Sequence, residues 1–387
     1  MAYLFWGAAY RQRRYVCSNM AKIVYILGAG FSKGVGAPLQ SEIIKDIFEI
    51  SPLDIDSDYR NIFQECRNYF NNFLENTLFI SATEYDKIAL EDIYTPIDRC
   101  ILDNVSFRNL QRTELLELRQ KINALIVILI KQRLKNIPND NYAQRLANFL
   151  VIKRKRKVRN DPFSILSLNW DIIIDNALKT AIDSNEGVVD YCCYITPYNT
   201  YENLMPGLLA MGKGMYNVKL LKMHGSMNWL QCQRCQRLFI TFYEKIAAEE
   251  YLTRPKCRLC QKNFSNSTTD DGGPFLLSQL IMPTFLKDLN NVQIKLIWQN
   301  AGVELSEATK IIFMGYSFPS ADFEMRQLLS RTVRHNASIT VVLRDRPAAT
   351  DTNSPEYRYK SFFGKRNISF NYDGVEDFID SLIREHT

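Results

Sequence analysis

Four cysteines stand in two pairs, CQRC from Cys232 to Cys235 and CRLC from Cys257 to Cys260, with 21 residues between them. Each pair can turn two thiolates toward one point, and two such knuckles close a tetrahedral shell around Zn²⁺ at about 2.3 Å. Four thiolates fill that shell and leave no position for a reactive water, so the pattern predicts a structural ion. The other reading is four free or redox-active thiols, although redox C-x-x-C motifs normally stand singly. Nine cysteines in all, without a secretory signal, argue for reduced thiols. Cys192 and Cys193 are adjacent, cannot share a knuckle, and read as core or surface thiols.

Acid–base chemistry has one clear candidate among three histidines. His224 follows the apolar run VKLLKM, precedes the small residues GS, and stands eight residues ahead of Cys232. A neutral imidazole at a strand end can take a proton near pH 7. Phosphate chemistry has another candidate in KIVYILGAGFSKGVGAP, Lys22 to Pro38. A glycine turn after a buried strand can bring backbone N–H groups against a pyrophosphate. Here Gly28 and Gly30 are followed by a third glycine only at Gly34, one residue later than the dinucleotide fingerprint has it. Two readings stay open from this stretch alone: the mouth of a nucleotide site, or a strand turning sharply into a helix.

These residues need a scaffold, and the apolar pattern supplies one. KIVYIL, FSILSLNWD (Phe163 to Asp171), VKLLKMHGS (Val218 to Ser226), KIIFMGYSF (Lys310 to Phe318) and SITVVLRD (Ser338 to Asp345) are short β-branched runs that stop at polar or glycine residues. Such runs read as strands buried on both faces of a parallel sheet. From Ser41, a cap candidate, to about residue 158 the apolar period becomes helical, as in DYRNIFQECRNYFNNFLENTL and RTELLELRQKINALIVILIKQRLKN. EDIYTP (Glu91 to Pro96) reads as a helix ending before Pro96 or as a cap over the site. The predicted fold is therefore α/β, a Rossmann-like doubly wound parallel sheet with a helical insertion at 41–158 and a four-cysteine zinc module at 228–264. In such sheets ligands lie outside the carboxyl ends of the strands, which makes GAGFS, LNWD, HGS and GYSF neighbours in space.

Composition excludes more than it identifies. With 387 residues, 46% hydrophobic and 12% aromatic, the chain can bury a large core and is not a disordered polymer. A net charge of +6 is far below that of a dedicated nucleic-acid binder. The run KRKRKVR (Lys153 to Arg159) could touch DNA phosphates or form a solvated loop, so direct nucleic-acid contact stays open. INALIVILI is too short for a bilayer and is bracketed by lysines, so no membrane association is expected. Residues 1–20 put apolar residues before arginines, the reverse of a secretory signal, and read as an N-terminal extension ahead of a catalytic domain at 21–387. A cytoplasmic location is expected.

Taken in order, the motifs resemble those of the sirtuin family of NAD-consuming enzymes. GAGFS resembles the family's glycine-alanine-glycine-x-serine opening, LNWD its asparagine-x-aspartate motif, HGS with two C-x-x-C pairs its catalytic histidine and zinc module, and GYSF its later glycine-x-serine loop. The resemblance implies NAD as substrate, with Gly28, Ala29, Gly30 and Ser32 lining the pyrophosphate and nicotinamide ribose. It implies Asn169 holding a water or ribose hydroxyl, Asp171 accepting from the nicotinamide amide, and His224 as general base. Gly315 and Ser317 would contact phosphate or adenine ribose, and Asp345, beside Arg344, would lie near that ribose. Deacylating sirtuins carry proline-aspartate-phenylalanine-arginine after the glycine loop, whereas GAPLQSE keeps only Pro38. LIMPTF (Leu280 to Phe285) is similar to a motif of bacterial sirtuin-like defence proteins.

The activity so implied is an NAD glycohydrolase that releases nicotinamide and ADP-ribose as a regulated, NAD-depleting effector of antiphage defence. Unchecked hydrolysis would kill the host, so gating is expected, through a homo-oligomer or a ring-shaped DNA-translocating ATPase partner. The alternatives are an NAD-dependent protein deacylase and a non-catalytic module that binds NAD or ADP-ribose to change assembly state.

Overall fold

The computed structural model describes residues 21–138, 140–156, 161–264, 273–348 and 350–386. The N-terminal extension lies outside the described residues, as does the end of the basic run from residue 157. Eleven strands are present among the described residues: β1 Ile23–Leu27, β2 Phe163–Ser167, β3 Gly187–Asp190, β4 Ile195–Pro197, β5 Tyr216–Lys222, β6 Gly225–Cys232, β7 Leu238–Ile240, β8 Leu276–Leu280, β9 Lys310–Met314, β10 Ser338–Val342 and β11 Ile368–Asn371.

Seven of them form one sheet in the order β11-β10-β9-β1-β2-β5-β3, with every pair parallel. The five apolar runs are its central strands, because a parallel strand covered by helices on both faces needs apolar side chains in both directions. All of β2 and the last four residues of β1 and β9 are buried. Register brings the strands to a level finish: Leu27 lies beside both Ser167 and Met314, Ser167 beside Lys222, and Met314 beside Val342. The chain runs outward from β1 to β2 and on to the edge strand β3, comes back as β5 between them, then crosses to the other side of β1 as β9. That reversal is the topological switch at which α/β sheets bind ligands.

Between β1 and β2 the described residues from Gln40 onward carry helices and no named strand. Helix Ser57–Asn72 buries Tyr59, Phe63, Cys66 and Phe70, a three-and-four spacing that makes one apolar stripe. It packs on helix Arg112–Arg133, which is buried without interruption from Ala124 to Ile130. The INALIVILI run is thus core. Ser41 does not cap the next helix: it sits inside a 3₁₀ turn, Gln40–Glu42, and the Glu42 carboxylate accepts from Leu39 N at 2.7 Å instead. Nor does Pro96 end a helix. Leu90–Asp103 runs through it, since burying Leu90, Ile93, Tyr94 and Ile97 on one face outweighs the one backbone bond that proline removes.

The remaining strands form a second sheet, β4-β7-β6-β8, that draws in segments on both sides of 228–264. Its small core joins Leu230, Phe239, Ile246 and Leu276 to Cys232, Cys257 and Cys260. β6 is buried along its whole length, and it leaves directly from His224 to end at Cys232. Among the described residues no helix is long and apolar enough to cross a membrane.

Candidate active site

Asn169 stands two residues past β2, with its backbone supported by Leu168 N donating to Leu27 O at 2.9 Å. Its Nδ2 donates to Gly28 O at 2.8 Å and Ser32 Oγ at 2.9 Å. The Gly28 carbonyl can only accept, which fixes the amide's orientation. Both amide hydrogens are therefore spent on the first loop, and Oδ1 is the end left to meet a ligand. This one residue joins LNWD to GAGFS.

His224 stands at the other side of the same loop. Its Nδ1 lies 3.1 Å from Leu168 O, and since a carbonyl cannot donate, Nδ1 carries the hydrogen and a neutral ring keeps its lone pair at Nε2. Nε2 is buried and has no hydrogen-bond partner. The backbone around it is fixed from three directions: Met223 N donates to Ser167 O, Ile281 N donates to His224 O, and Trp298 Nε1 donates to Met223 O, each at 2.9 Å. Burial pushes the imidazole below its ordinary pKa, Asp322 pulls it back up, and Lys287 pushes it down again. The resting ring is neutral near pH 7, as a base must be.

Lys222, two residues earlier, is fully buried and hydrogen-bonds the Asp171 carbonyl and Asp175 Oδ2, the latter at 3.0 Å. Tyr191 OH donates to the other Asp175 oxygen at 2.7 Å, so this buried pair is saturated with partners. The pair ties the end of β5 to the segment after Asn169. Trp170 Nε1 donates to Ile281 O at 3.1 Å, which ties that segment to LIMPTF.

The structure therefore gathers Gly28, Ser32, Asn169 and His224 at the switch point. Other candidates are placed differently. Gly28 and Gly30 face the loop after β9 so closely that a Cβ would lie 2.5 Å from Tyr316 Cα or 2.8 Å from Gly315 O. Gly30 N–H already donates to Gly315 O at 2.7 Å. Gly315 has φ +63, and a Cβ there would lie 2.2 Å from Phe31 N. Loop-to-loop packing thus requires these glycines whether or not a phosphate binds. Ala29 is half-buried beside them and opens the short helix Ala29–Lys33. Asp171 is buried and its Oδ1 accepts from Ile173 N at 3.0 Å, a turn-closing bond at the start of helix Ile173–Ala181. Ser317 and Asp345 are exposed, and the Ser317 carbonyl accepts from Arg358. Pro38 lines an outer cleft with Lys33, Glu42, Asp46 and Arg133 that contains neither Asn169 nor His224. In the basic run, Arg154 is buried and donates to Asn217, and Lys155 pairs with Glu186.

One residue at the site went unnoticed in the sequence. Asp322 Oδ1 lies 3.7 Å from His224 Nε2. A polar residue just ahead of an apolar-periodic segment looks like an ordinary helix cap, and nothing in its spacing pairs it with a histidine 98 residues earlier.

At the far end of β6 the thiols of Cys232, Cys235, Cys257 and Cys260 lie within 4.8 Å of one another. Two of the separations are 3.7 and 3.8 Å. A tetrahedron of sulfurs at the usual Zn–S distance has edges of about 3.8 Å, so the four fit a zinc ion as they stand. Cys192 and Cys193 are apart from this cluster, and burial pushes both thiols up.

No family model matches this chain, and no curated protein does. Among solved structures it is similar to a Sir2 homolog–NAD complex at 14% identity, over 94% of this chain and 88% of that one, with a TM-score of 0.44. It is similar also to a structure from work on the mechanism and regulation of Sir2 enzymes, at 12% identity over 95% and 92% of the two chains with a TM-score of 0.40. A Sir2 homologue mutant–ADP ribose complex gives 12% identity, 94% and 91% coverage and a TM-score of 0.41. Likeness at this level leaves the chemistry of the site to be argued from this chain's own residues.

Proposed function

We propose that this site hydrolyses NAD to nicotinamide and ADP-ribose. The supporting observation is the division of polar atoms between two residues joined through the Leu168–Asn169 segment: Asn169 keeps only Oδ1 for a ligand, and His224 keeps only the Nε2 lone pair. Breaking the bond from nicotinamide to ribose passes through an oxocarbenium-like sugar, which calls for an acceptor beside the reacting carbon rather than a strong nucleophile. Asn169 Oδ1 supplies the acceptor and Ser32 holds Asn169 in place. The C–N bond breaks with its electron pair going to nicotinamide, which leaves neutral. Water then bonds to the anomeric carbon and its proton passes to His224 Nε2. Ala29, Gly30, Gly315 and Ser317, on the two loops that pack together after β1 and β9, would take the phosphates, and zinc at the four cysteines would fix the far end of β6.

An NAD hydrolase needs control, and the helical insertion reaches the site's border. Phe285 N donates to Thr95 Oγ1 at 3.2 Å, and Thr284 donates to the same oxygen at 3.4 Å. This contact ties the insertion to LIMPTF, whose Ile281 N bonds the His224 carbonyl, and so supports gating of the site by the insertion. A homo-oligomer or a ring-shaped DNA-translocating ATPase as the controlling partner, and antiphage defence as the setting, are proposed from the motif resemblance. The test is to incubate the purified chain with NAD and follow nicotinamide with and without an acetyl-lysine peptide. Release without peptide is expected. Strict dependence on peptide would replace the proposal with deacylation, and NAD binding without release in either case would replace it with a binding module.

A further inference from the structure

The geometry points to Asp322 as a positioning residue that stabilises the protonated form of His224, with Lys287 tempering its charge. This rests on the reading of His224 as the base. In the neutral ring Nε2 lies 3.7 Å from Asp322 Oδ1, too far for a hydrogen bond and with no hydrogen to share. Once Nε2 has taken a proton from the attacking water, the same two atoms become an ion pair. The attraction therefore arises only as the reaction proceeds, which is the form of binding that lowers a barrier.

Three features hold the Asp322 carboxylate inward, toward His224. It occupies the cap position of helix Phe323–Thr332, yet its side chain makes no capping bond. Tyr316 OH donates to its Oδ2 at 2.7 Å and Lys287 Nζ lies 2.9 Å from its Oδ1, so the carboxylate is turned inward and clamped from two sides. The loop that delivers it also bends sharply: Phe318, a buried aromatic, has φ +56, a conformation that is costly for a bulky residue and needs surrounding structure to hold it. Against a burial that pushes it up, His224, Lys287 and Tyr316 hold the Asp322 carboxyl below the usual carboxylate range.

The charged groups around His224 are few. The loop before helix Val292–Glu307 gives Lys287, whose Nζ also meets Glu324 at 3.2 Å. The segment after β9 gives Asp322 and Glu324, the helix itself gives the uncharged Trp298, and on the histidine's own strand Lys222 is engaged with Asp175. Lys287 shares Asp322 with the histidine and so keeps the resting ring from being protonated too readily.

Imidazole resonances in histidine-labelled protein test this without NAD. His224 is assigned by the signal lost in His224→Gln. Asp322→Asn should lower its titration midpoint by about one pH unit or more. Lys287→Met should raise it, and Asp322→Glu should restore it toward the parent value. With NAD, Asp322→Asn should lower kcat by roughly 10- to 100-fold, in proportion to the weakened base, and leave KM nearly unchanged. Midpoints that stay fixed, or that move in the same direction in Asp322→Asn and Lys287→Met, would overturn the proposal. If Asp322→Asn does not fold, the Lys287→Met shift decides alone. Absence of NAD cleavage by the parent chain, with opposite shifts intact, would sink the hydrolase reading and leave the Asp322–His224 coupling standing.

Discussion

Asn169 carries two kinds of work in one side chain, and its substitution separates them. Asn169→Ala removes the donor to Gly28 O and Ser32 Oγ along with the acceptor Oδ1. Nicotinamide release should fall by about 100-fold or more, as when a preorganised polar group is lost. The lost hydrogen bonds should cost only about 1–2 kcal/mol in a denaturant melt. A release rate within a few-fold of the parent would show that Asn169 merely braces the loops. Gly315→Ala tests the loops themselves: positive φ and a Cβ 2.2 Å from Phe31 N should destabilise the chain by about 2–3 kcal/mol, read as a lower melting temperature. An unchanged melt would mean that the two loops are not packed as described. The meeting of LNWD with GAGFS and HGS was legible in the sequence because each motif ends an apolar strand run, at the sheet edge where α/β folds gather their loops. The closeness of Asp322 to His224 was not, because it depends on a turn through Phe318 that no local pattern announces.

Among the elements, β6 links the histidine to the cysteine cluster, so metal and catalysis should be coupled through one strand. One zinc per chain is expected by metal analysis. Removing it with a chelator, or making Cys257→Ser, should loosen the second sheet and lower nicotinamide release together, because classical closed sites of this kind contribute folding energy outright. Full activity and an unchanged melt after verified metal loss would contradict the coupling. The central strands β1, β2, β5, β9 and β10 were readable because burial between two helical layers writes short, mostly apolar runs. β3, β4, β7 and β11 are three- or four-residue strands, too short to show a period. Helix boundaries failed at Pro96, where burial of one face overrode local preference, and at Ser41, where Glu42 took over the cap.

At the scale of the molecule, stability should carry the mark of the buried histidine. A base whose folded pKa is depressed binds fewer protons in the native chain than in the unfolded one, so its contribution is present above about pH 6.5 and is lost as pH falls below that value. Unfolding free energy should therefore decline from about pH 6.5 toward 5, and His224→Gln should flatten that slope. Equal slopes would mean that His224 is not held neutral. The whole sheet is organised around the switch beside β1, where loops as far apart in sequence as Gly30 and Gly315 meet, and the order of motifs foretold that meeting better than it foretold the contacts within it.

The central claim is that Asn169 and His224 direct water to the sugar carbon that bears nicotinamide. Its most direct test is the mass of the ribose product formed from NAD in heavy-oxygen water without any peptide. The account predicts ADP-ribose carrying one heavy oxygen, formed by the parent chain and lost in His224→Ala. ADP-ribose that forms equally in His224→Ala, or a product that appears only as an acyl ester when acylated peptide is added, would contradict it.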